Sequence, residues 1–411
     1  RQVGKTFIVN TFGKNEFDSF VTLNFERNPE YKDIFTTNDP ADIIEKMILF
    51  TGEAIERGKT LVFLDEIQEC PSAIMSLRYF YEEMPDLFII GAGSLLEFSL
   101  KAENFRMPVG RVQYLYMYPI SFSEFLDAIG EDSLNEHISN FQNIINLPES
   151  LHKKLIEYVK KYFILGGMPA VVNEYIESQD ILKCQAIQHL LIETYIDDFP
   201  KYARQSKFKY LKKVFTASSS MVGQKFIYTK IDSSVKSREL KEAFELLETA
   251  GILYRVKRTS GAGLPLETGV KENFYKTVFL DIGLMHAING IYSETIKEND
   301  LTAIYKGAVA EQFFGQELIT LQNNHQKPKL YYWARESKNS SAEIDYIIEK
   351  DNKIIPIEIK SGPTGRIKSL KMFLEIYRIK KGVKVSQAMY GIEKKIISLP
   401  FYAIKGFLTD N

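Results

Sequence analysis

Short apolar runs alternate with helical patterns over the first 130 residues, and this alternation predicts a parallel α/β sheet. The runs lie at Ser19–Phe25, Thr60–Leu64, Leu87–Ile90 and Val112–Tyr118. Each run is short, as strands are, and each is separated from the next by residues with helical spacing of apolar positions. We therefore expect four strands joined by helices in this part of the chain.

The pattern changes twice beyond this sheet. From about residue 133 to residue 226 it is helical, and residues 228–290 predict helices and a short hairpin. Strands and helices then alternate again, with a helix at Ala308–Leu321 and strands around Tyr331, Ile344–Ile348 and Ile354–Ile359. The predicted fold class is α/β with a helical middle, and the boundaries fall near residues 130 and 300.

Length and composition indicate a multidomain globular protein. The chain has 411 residues, of which 45% are apolar and 26% charged, so two or three domains with buried cores are expected. Its two cysteines, Cys70 and Cys184, cannot form a disulfide framework, which favours a reducing, cytoplasmic location. No apolar run approaches the roughly 20 residues that span a bilayer, and we expect no membrane partner.

The net charge of −1 hides an asymmetry along the chain. Residues 1–130 hold 12 lysines and arginines against 20 acids, whereas the remainder holds 40 against 33. An acidic front and a basic back suit a chain that binds nucleotide first and contacts nucleic acid further on. Solvated surface charge would give the same counts, so this observation alone does not identify a partner.

Arg1–Thr6 matches the second half of the phosphate-binding pattern G-x-x-x-x-G-K-[ST]. Gly4 lets the backbone approach the phosphates, and successive N–H groups there cradle them. Lys5 would reach the β- and γ-phosphates, and the Thr6 hydroxyl would ligate Mg²⁺. ATP and Mg²⁺ are therefore the predicted cofactors. The first glycine of the pattern and the strand before it would precede Arg1, so we expect the domain to be truncated at its N-terminus.

A second motif follows about 60 residues later, where the apolar run Thr60–Leu64 ends in Asp65 and Glu66. Asp65 would hold the Mg²⁺ shell, and Glu66 would polarise the attacking water; the alternative is a buried strand with a helix-capping acid. Ser94 would lie beside the γ-phosphate or cap a helix. Arg111 would stabilise transition-state charge, in its own chain or on a neighbouring subunit, or lie on the surface.

A helix, a strand, a glycine-rich turn and a second strand follow one another near the middle of the chain, which is the order of a winged helix. The predicted limits are Ser237–Ala250, Ile252–Lys257, Gly261–Pro265 and Asn273–Leu280. We expect Ser237 to cap the helix and Gly251 to end it.

The charges of this winged-helix-like region leave its partner open. Basic residues favour DNA and lie at Arg238, Lys241, Lys257 and Arg258, with Lys207, Lys209, Lys212 and Lys213 upstream. Four glutamates would repel phosphates from the same helix, and they are Glu239, Glu242, Glu245 and Glu248. Winged helices also serve as packing modules within ATPases, so DNA contact and packing are both retained as interpretations.

A hairpin is predicted near the C-terminus, with the two-residue turn Asp351-Asn352. Pairing across this turn gives one apolar face. On the opposite face, Asp345 lies across from Glu358 and Glu343 lies across from Lys360. Directly opposed carboxylates repel, and a divalent cation between them would relieve the repulsion.

This D…E-x-K arrangement is typical of restriction-type nucleases. Asp345 and Glu358 would ligate Mg²⁺, Lys360 would orient or activate water, and Glu311 on the preceding helix would supply a further acid. The alternatives are an ordinary exposed Glu343–Lys360 pair with solvated acids, or a nuclease-like fold that no longer cleaves.

Several of these segments together resemble the prokaryotic AAA-type P-loop ATPases that carry a C-terminal domain of unknown function. The likeness covers nearly the whole chain, at Arg1–Thr6, Leu64–Gln68, Gly93–Leu96, Gly110–Val112, Tyr118–Phe125, Gly166–Pro169 and the run of Glu311, Asp345 and Glu358–Lys360. The resemblance implies ATP binding, a helical winged-helix-like middle and a restriction-nuclease-like end of the PD-(D/E)xK type.

The predicted domains are therefore an AAA-type ATPase domain at residues 1–130, a winged-helix-like region at 131–300 and a nuclease-like domain at 301–411. We predict an ATPase whose Mg-dependent hydrolysis drives or gates the two regions behind it. The alternative is a nucleotide-gated module that binds DNA or a protein without cutting. A protein partner or a homo-oligomer is compatible with either interpretation.

Overall fold

A computed structural model of the chain describes residues 1–94, 96–100, 110–290, 307–335, 342–363 and 365–410. Contacts among these residues divide the chain into two compact units, Arg1–Leu115 and Tyr116–Asn411, here called unit 1 and unit 2. The limits predicted near residues 130 and 300 stay predictions. Among the described residues, no helix is long and apolar enough to cross a membrane.

Unit 1 contains a parallel sheet of three strands in the order β1-β2-β3. These strands are β1 (Ser19–Asn24), β2 (Thr60–Asp65) and β3 (Phe88–Ala92). All six residues of the central strand β2 are buried, because a strand with neighbours on both sides and helices on its faces has no exposed edge or face. The described helices of this unit are Lys5–Glu16, Pro40–Thr51, Pro71–Glu83 and Leu96–Leu100. The predicted parallel sheet is thus present.

The predicted strand at Val112–Tyr118 is wrong, since these residues form no strand. An extended segment is stable in a sheet only when its N–H and C=O groups pair with a neighbour. In the described part of unit 1, the sheet ends at β3. The Tyr116 N–H instead donates to the Asn324 carbonyl at 2.7 Å. An apolar, aromatic run therefore indicated a strand, but the described residues form no sheet ladder with it.

Unit 2 begins with helices, as the pattern of residues 133–226 predicts. Its described helices are Phe122–Ala128, Asp132–Ser139, Phe141–Ile145, Glu149–Leu165, Pro169–Ser178, Ile181–Asp197, Phe199–Tyr202, Phe208–Ser220, Tyr228–Ile231, Ser237–Thr249, Ile282–Asn289, Ala308–Leu321, Lys368–Ile376 and Ile404–Thr409. Aromatic side chains join them in the core, where the rings of Phe122, Tyr162 and Phe313 meet edge to face at 5.8–6.2 Å. Such contacts add to the apolar burial that holds the helices together.

An eight-stranded mixed sheet completes unit 2, in the order β10-β11-β9-β8-β7-β6-β4-β5. The strands are β4 (Leu253–Arg258), β5 (Lys271–Phe279), β6 (Leu330–Ala334), β7 (Glu343–Lys350), β8 (Lys353–Ile359), β9 (Gly382–Ser386), β10 (Gly391–Glu393) and β11 (Ile396–Pro400). Strand β4 pairs in parallel with β6, with Val256 opposite Leu330. The hairpin predicted as part of the winged helix therefore extends the sheet of the C-terminal hairpin.

The helix of the winged-helix-like segment begins one residue away from its predicted cap. Lys236 is the N-cap residue and Ser237 is the first helical residue, with no side-chain cap bond. The prediction that Ser237 caps this helix is wrong, because only a residue outside the first turn can accept from the N–H groups of that turn. The helix ends at Thr249, shortly before Gly251, as expected.

The C-terminal hairpin has the predicted register. Tyr346 lies opposite Ile357 and Lys350 opposite Lys353, and the turn residues Asp351 and Asn352 have φ values of 51° and 56°. Two consecutive positive φ values define the type I′ turn that suits a two-residue hairpin. Two acids of this hairpin are largely buried, since the side chains of Asp345 and Glu358 are 13% and 8% exposed.

Two of the segments that resemble the AAA-type family stabilise the core of unit 2. The Phe122 N–H donates to the buried Glu317 carboxylate at 2.9 Å, and Gly167 donates to the buried Asp281 carboxylate at 2.7 Å. The Ile120 N–H donates to the Gly167 carbonyl at 2.7 Å, which joins the two segments. Burial raises the pKa of Glu317 to about 7. These segments are therefore structural.

Candidate functional site

The first helix of unit 1 begins in the manner of a phosphate-binding turn. Gly4 has a φ of 86°, a left-handed conformation that glycine adopts without strain, and the helix begins at Lys5 with no side-chain cap. The first backbone bond of the helix runs from Ile8 to Gly4 at 3.0 Å. The N–H groups of the preceding residues therefore have no partner within the helix, which is the property that lets a helix N-terminus bind an anion.

Asp65, at the end of β2, is held between β1 and this helix. Its carboxylate accepts from the Asn24 amide at 2.9 Å and from the Thr6 hydroxyl at 3.4 Å. Burial raises the pKa of Asp65, as does the charge of Glu66, and the bond from Asn24 opposes this rise. The predicted residues Thr6 and Asp65 are thus brought together.

Asn24 was missed by sequence reasoning. It is the last residue of β1 and lies beside Asp65 in the sheet. A polar residue at the carboxyl end of a parallel strand is the signal that could have identified it, because such ends form the ligand-binding edge of α/β sheets.

Glu66 follows in a left-handed conformation, with a φ of 51°. Its Oε2 accepts from the Gln68 amide at 2.6 Å and from both the N–H and the hydroxyl of Ser94 at 3.4 Å. A Cβ at Gly93 would lie 1.9 Å from Gln68 Oε1, so a larger residue there would force the Gln68 side chain to move. Ser94 therefore lies beside Glu66, and Gln68 fixes the carboxylate.

Lys5 and Arg111, the two basic residues predicted to act on the phosphates, have different surroundings. Burial lowers the pKa of Lys5, while the nearby Glu66 charge raises it. No carboxylate of the described chain lies within ion-pair distance of the Lys5 amine, so its charge is balanced only at a distance. Arg111 is 42% exposed and forms an ion pair with Glu82 at 3.1 Å.

A second group of charges lies within unit 2, centred on a lysine that sequence reasoning missed. Lys276 is on β5 and its side chain is only 3% exposed. Its Nζ lies 3.1 Å from Glu311 Oε2 and 3.7 Å from Asp345 Oδ1, and it also contacts Glu343. We call these four residues the Lys276 cluster. A lysine inside the otherwise apolar end of β5 is the signal that could have revealed it, since lysine is almost never fully buried unless paired.

The charges of the Lys276 cluster strongly affect one another. Burial acts to lower the pKa of Lys276, but the carboxylates of Glu311, Asp345 and Glu343 outweigh it and hold this pKa well above its ordinary value. Burial raises the pKa of Glu311 to about 8, although Lys276 opposes the rise. The lysine therefore carries its charge inside the protein because the acids surround it.

The predicted pair Asp345 and Glu358 adjoins this cluster. Asp345 accepts from the Ile359 N–H at 2.7 Å, and Lys360 donates to Glu358 Oε1 at 2.6 Å. Glu358 Oε2 is buried without a hydrogen-bond partner. Burial and the Asp345 charge raise the pKa of Glu358 to about 7. The acids are thus close enough to interact.

The alternative of an exposed Glu343–Lys360 pair is wrong. Glu343 pairs with Lys276, and Lys360 pairs with Glu358. Across the described residues, no three or more histidines, cysteines or acids are grouped so that they could hold a metal ion. Where sequence reasoning placed a divalent cation, the charge next to Asp345 is the Lys276 ammonium.

Comparisons with known proteins divide the chain into three matches. Residues 1–126 match the family model of an AAA domain, residues 156–295 that of a domain of unknown function (DUF8612), and residues 306–402 that of a further domain of unknown function (DUF4143). The first match supports a nucleotide-binding, ATPase-type N-terminal domain, and the last supports its fusion to a domain of unknown function. The AAA-domain match implies Mg²⁺ only because nucleotides usually bind to such domains together with this ion.

A relative from Haemophilus influenzae (strain ATCC 51907 / DSM 11121 / KW20 / Rd) is described as an uncharacterized protein. It is 25% identical over 282 residues, which cover 66% of this chain and 62% of that protein. The chain therefore spans less than two thirds of the length of this relative. No solved structure matches the chain.

Proposed function

We propose that unit 1 binds Mg·ATP and hydrolyses it. The proposal rests on the 3.4 Å approach of the Thr6 hydroxyl to the Asp65 carboxylate beside the start of the Lys5–Glu16 helix. Hydroxyl and carboxylate oxygens are ligands that Mg²⁺ accepts, and it completes its shell with water and phosphate oxygens. This donor set fits the ion, which when bound would neutralise charge on the β- and γ-phosphates.

The other residues of the motif act on the phosphates and on water. Gly4 and the first N–H groups of the helix would hold the phosphates, and Lys5 would contact the β- and γ-phosphate oxygens. Glu66 would orient the water that attacks the γ-phosphorus as the bond to the bridging oxygen breaks, releasing ADP and phosphate. Gln68 and Ser94 hold the Glu66 carboxylate in position by the bonds described above.

Glu66→Gln tests this proposal, because it removes the charge that activates water and leaves the phosphate contacts intact. We expect ATP binding within about threefold of wild type and turnover lowered by at least about 100-fold, the usual range for a catalytic base. Glu69→Gln is the matched control, since Glu69 is an exposed acid of the same segment. Tight ATP binding with no wild-type turnover would instead support the nucleotide-switch alternative.

For unit 2 we propose a binding role without cleavage. The nuclease-like alternative assigns Asp345 and Glu358 to a metal ion, Lys360 to water and Glu311 to a supporting position. The observation that favours binding is the Lys276 ammonium, which already contacts Glu311 and Asp345. Because the Lys276 ammonium already pairs with these acids, a divalent cation next to Asp345 would have to share or displace that contact, and no cleavage step is derived.

A nicking assay decides between the two roles. Supercoiled plasmid is incubated with the chain in Mg²⁺ or Mn²⁺, and Glu358→Ala is assayed beside wild type. We expect no nicking above background from either protein. Metal-dependent nicking that Glu358→Ala abolishes would establish the nuclease alternative and overturn the binding proposal.

A further inference from the structure

We propose that unit 2 binds the phosphate backbone of duplex DNA in a basic groove between the Phe208–Ser220 helix and the segment that leads into the Ser237–Thr249 helix. The groove has a volume of about 600 Å³ and is lined by Lys209, Tyr210, Lys213, Ser234, Val235, Lys236 and Glu239. This inference deepens the binding role proposed for unit 2. It is independent of the nucleotide chemistry proposed for unit 1.

The charge of the surrounding sequence is strongly positive. Residues 204–238 contain nine lysines and arginines but a single acid, Asp232. Lys209, Lys213 and Lys236 are all exposed, and they project from two separate segments that form the groove. Lys213 forms an ion pair with Asp232. We therefore expect Lys209 and Lys236 to contribute most to the attraction of a polyanion. A concave, basic surface of this kind attracts a polyanion.

Three of the four glutamates on the neighbouring helix do not line the groove. Glu242 pairs with Lys207, and Glu248 pairs with Arg255 at 3.1 Å. Glu245 lies 3.9 Å from both Lys241 and Arg255. Three of the four glutamates that sequence reasoning expected to repel DNA are therefore neutralised by neighbours and do not line the groove.

Glu239 is the exception. It lines the groove and is only half-buried, so its carboxylate opposes the lysines there. Replacing Glu239 by a neutral residue should strengthen the binding of a polyanion. This outcome is informative because a gain of affinity cannot arise from loss of folding.

The lining favours a duplex over a single strand. Sites for single strands stack bases on several aromatic rings, whereas this groove has one ring, Tyr210, with the Lys209 amine 4.9 Å from its centre. The lining also lacks arginine, asparagine and glutamine, the side chains that most often read base edges. Lysines on both sides of the groove can contact the phosphates of a rigid duplex backbone. We therefore expect binding that does not depend on DNA sequence.

The test measures fluorescence anisotropy of a labelled duplex of about 25 base pairs with the full chain, over about 50 to 200 mM salt. We expect the wild type to bind two unrelated duplexes within about twofold of each other. Lys209→Ala/Lys236→Ala should weaken binding at least about tenfold at low salt. It should also reduce the slope of log affinity against log salt by about 1.8, because each phosphate contact contributes about 0.9.

Lys380→Ala/Lys381→Ala is the matched control, because it removes two exposed lysines of unit 2 that do not line the groove. It should stay within about twofold of wild type, and Glu239→Gln should bind about threefold more tightly. The inference fails if wild type shows no salt-dependent binding, if the control loses as much affinity as the groove variant, or if single strands or anionic vesicles bind better than the duplex. Lys5→Ala should bind duplex as wild type does, which separates this outcome from that of the ATPase proposal.

Discussion

Both units gather carboxylates around a lysine, but they balance the charges in different ways. In unit 1, Asp65 and Glu66 lie near Lys5 without an ion pair to it, and the acids are held by neutral groups such as Asn24 and Gln68. In unit 2, Lys276 contacts three carboxylates directly and is almost fully buried. The first site keeps cation and anions apart, whereas in the second the cation and the anions are in direct contact.

The difference explains why similar residues suit different tasks. Charges that are separated and only partly desolvated retain a favourable interaction for an incoming ligand, which can supply both phosphate anions for Lys5 and a metal ion for Asp65. Charges that already satisfy one another inside the protein offer a ligand little, because binding must first break their contacts. We therefore expect ligand-dependent chemistry at the Lys5 site of unit 1, and we expect the charges around Lys276 to have a structural role in unit 2.

Lys276→Met should have the largest effect. It leaves three carboxylates without their buried cation, so we expect the free energy of unfolding of unit 2 to fall by about 3–5 kcal/mol. The measurement is urea unfolding followed through Trp333, the single tryptophan, which lies buried in β6. Lys257→Met is the control, because Lys257 forms its ion pair with the exposed Glu272. A loss below about 1 kcal/mol would mean that the acids are not held by this lysine.

Lys5→Ala tests the other side of the comparison. It should lower ATP affinity or turnover at least tenfold, which corresponds to about 1.4 kcal/mol, while thermal stability changes little because Lys5 holds no buried ion pair. Calorimetric titration of ATP and a phosphate-release assay measure both quantities. Lys14→Ala, at the far end of the same helix, should behave as wild type. Unchanged affinity and turnover would remove the basis of the P-loop assignment.

Glu358→Gln should reveal a pH dependence of the free energy of unfolding of up to about 3 kcal/mol. The folded-state pKa of Glu358 is raised to about 7, above its ordinary value of about 4.3. The folded protein therefore binds more protons than the unfolded chain between these values, and stability falls as pH rises through that window. The variant has no titrating group at this position. The free energy of unfolding of the variant should therefore exceed that of wild type most above pH 7, and the difference should vanish near pH 4. An advantage that is equal at both ends would exclude titration of Glu358 as its cause.

Asn24→Ala should have the smallest effect. It removes one hydrogen bond to Asp65, a contribution of about 0.5–1.5 kcal/mol, so we expect the Mg²⁺ requirement of turnover to rise by about three- to tenfold. Titration of Mg²⁺ in the phosphate-release assay measures this requirement. Asn28→Ala, which removes a half-buried asparagine of the same unit that donates to Glu30, provides the control. If both variants behave alike, Asn24 does not position Asp65.

Local pattern was sufficient for much of the fold. Alternation and turn chemistry predicted the register of β7 and β8 and the turn at Asp351-Asn352, because side-chain period and turn type fix a short hairpin. The same reasoning failed for Val112–Tyr118, an apolar run that pairs with no strand among the residues that the structure describes. It also failed at Ser237, where the distinction between the last residue before a helix and the first residue within it depends on one backbone conformation.

In the candidate sites, too, local sequence pattern predicted some features, whereas others depend on tertiary contacts. The proximity of Asp65, Glu66 and Ser94 was predictable because Asp65 ends β2, Glu66 directly follows it and Ser94 closely follows the neighbouring strand β3. The apolar neighbours of Lys276 could have indicated its burial, but its partners were not predictable, since these acids lie 35 to 69 residues away along the chain and the strand register that joins them is a tertiary property. Gln68 and Asn24 have ordinary surface-residue identities, and their roles depend on which carboxylate they meet in space.

The parallel pairing of β4 with β6 joins two stretches of unit 2 that lie on either side of residue 300 in the chain. Between Asn289 and Ala308 the chain connects two parts that also hold each other by noncovalent contacts. Gln312 exchanges two hydrogen bonds with the Phe279 backbone at 2.7 and 2.8 Å, and Gln316 accepts from the Ile282 N–H at 2.9 Å. A single proteolytic cut in this stretch should therefore leave two fragments that co-elute as one particle and separate only in denaturant.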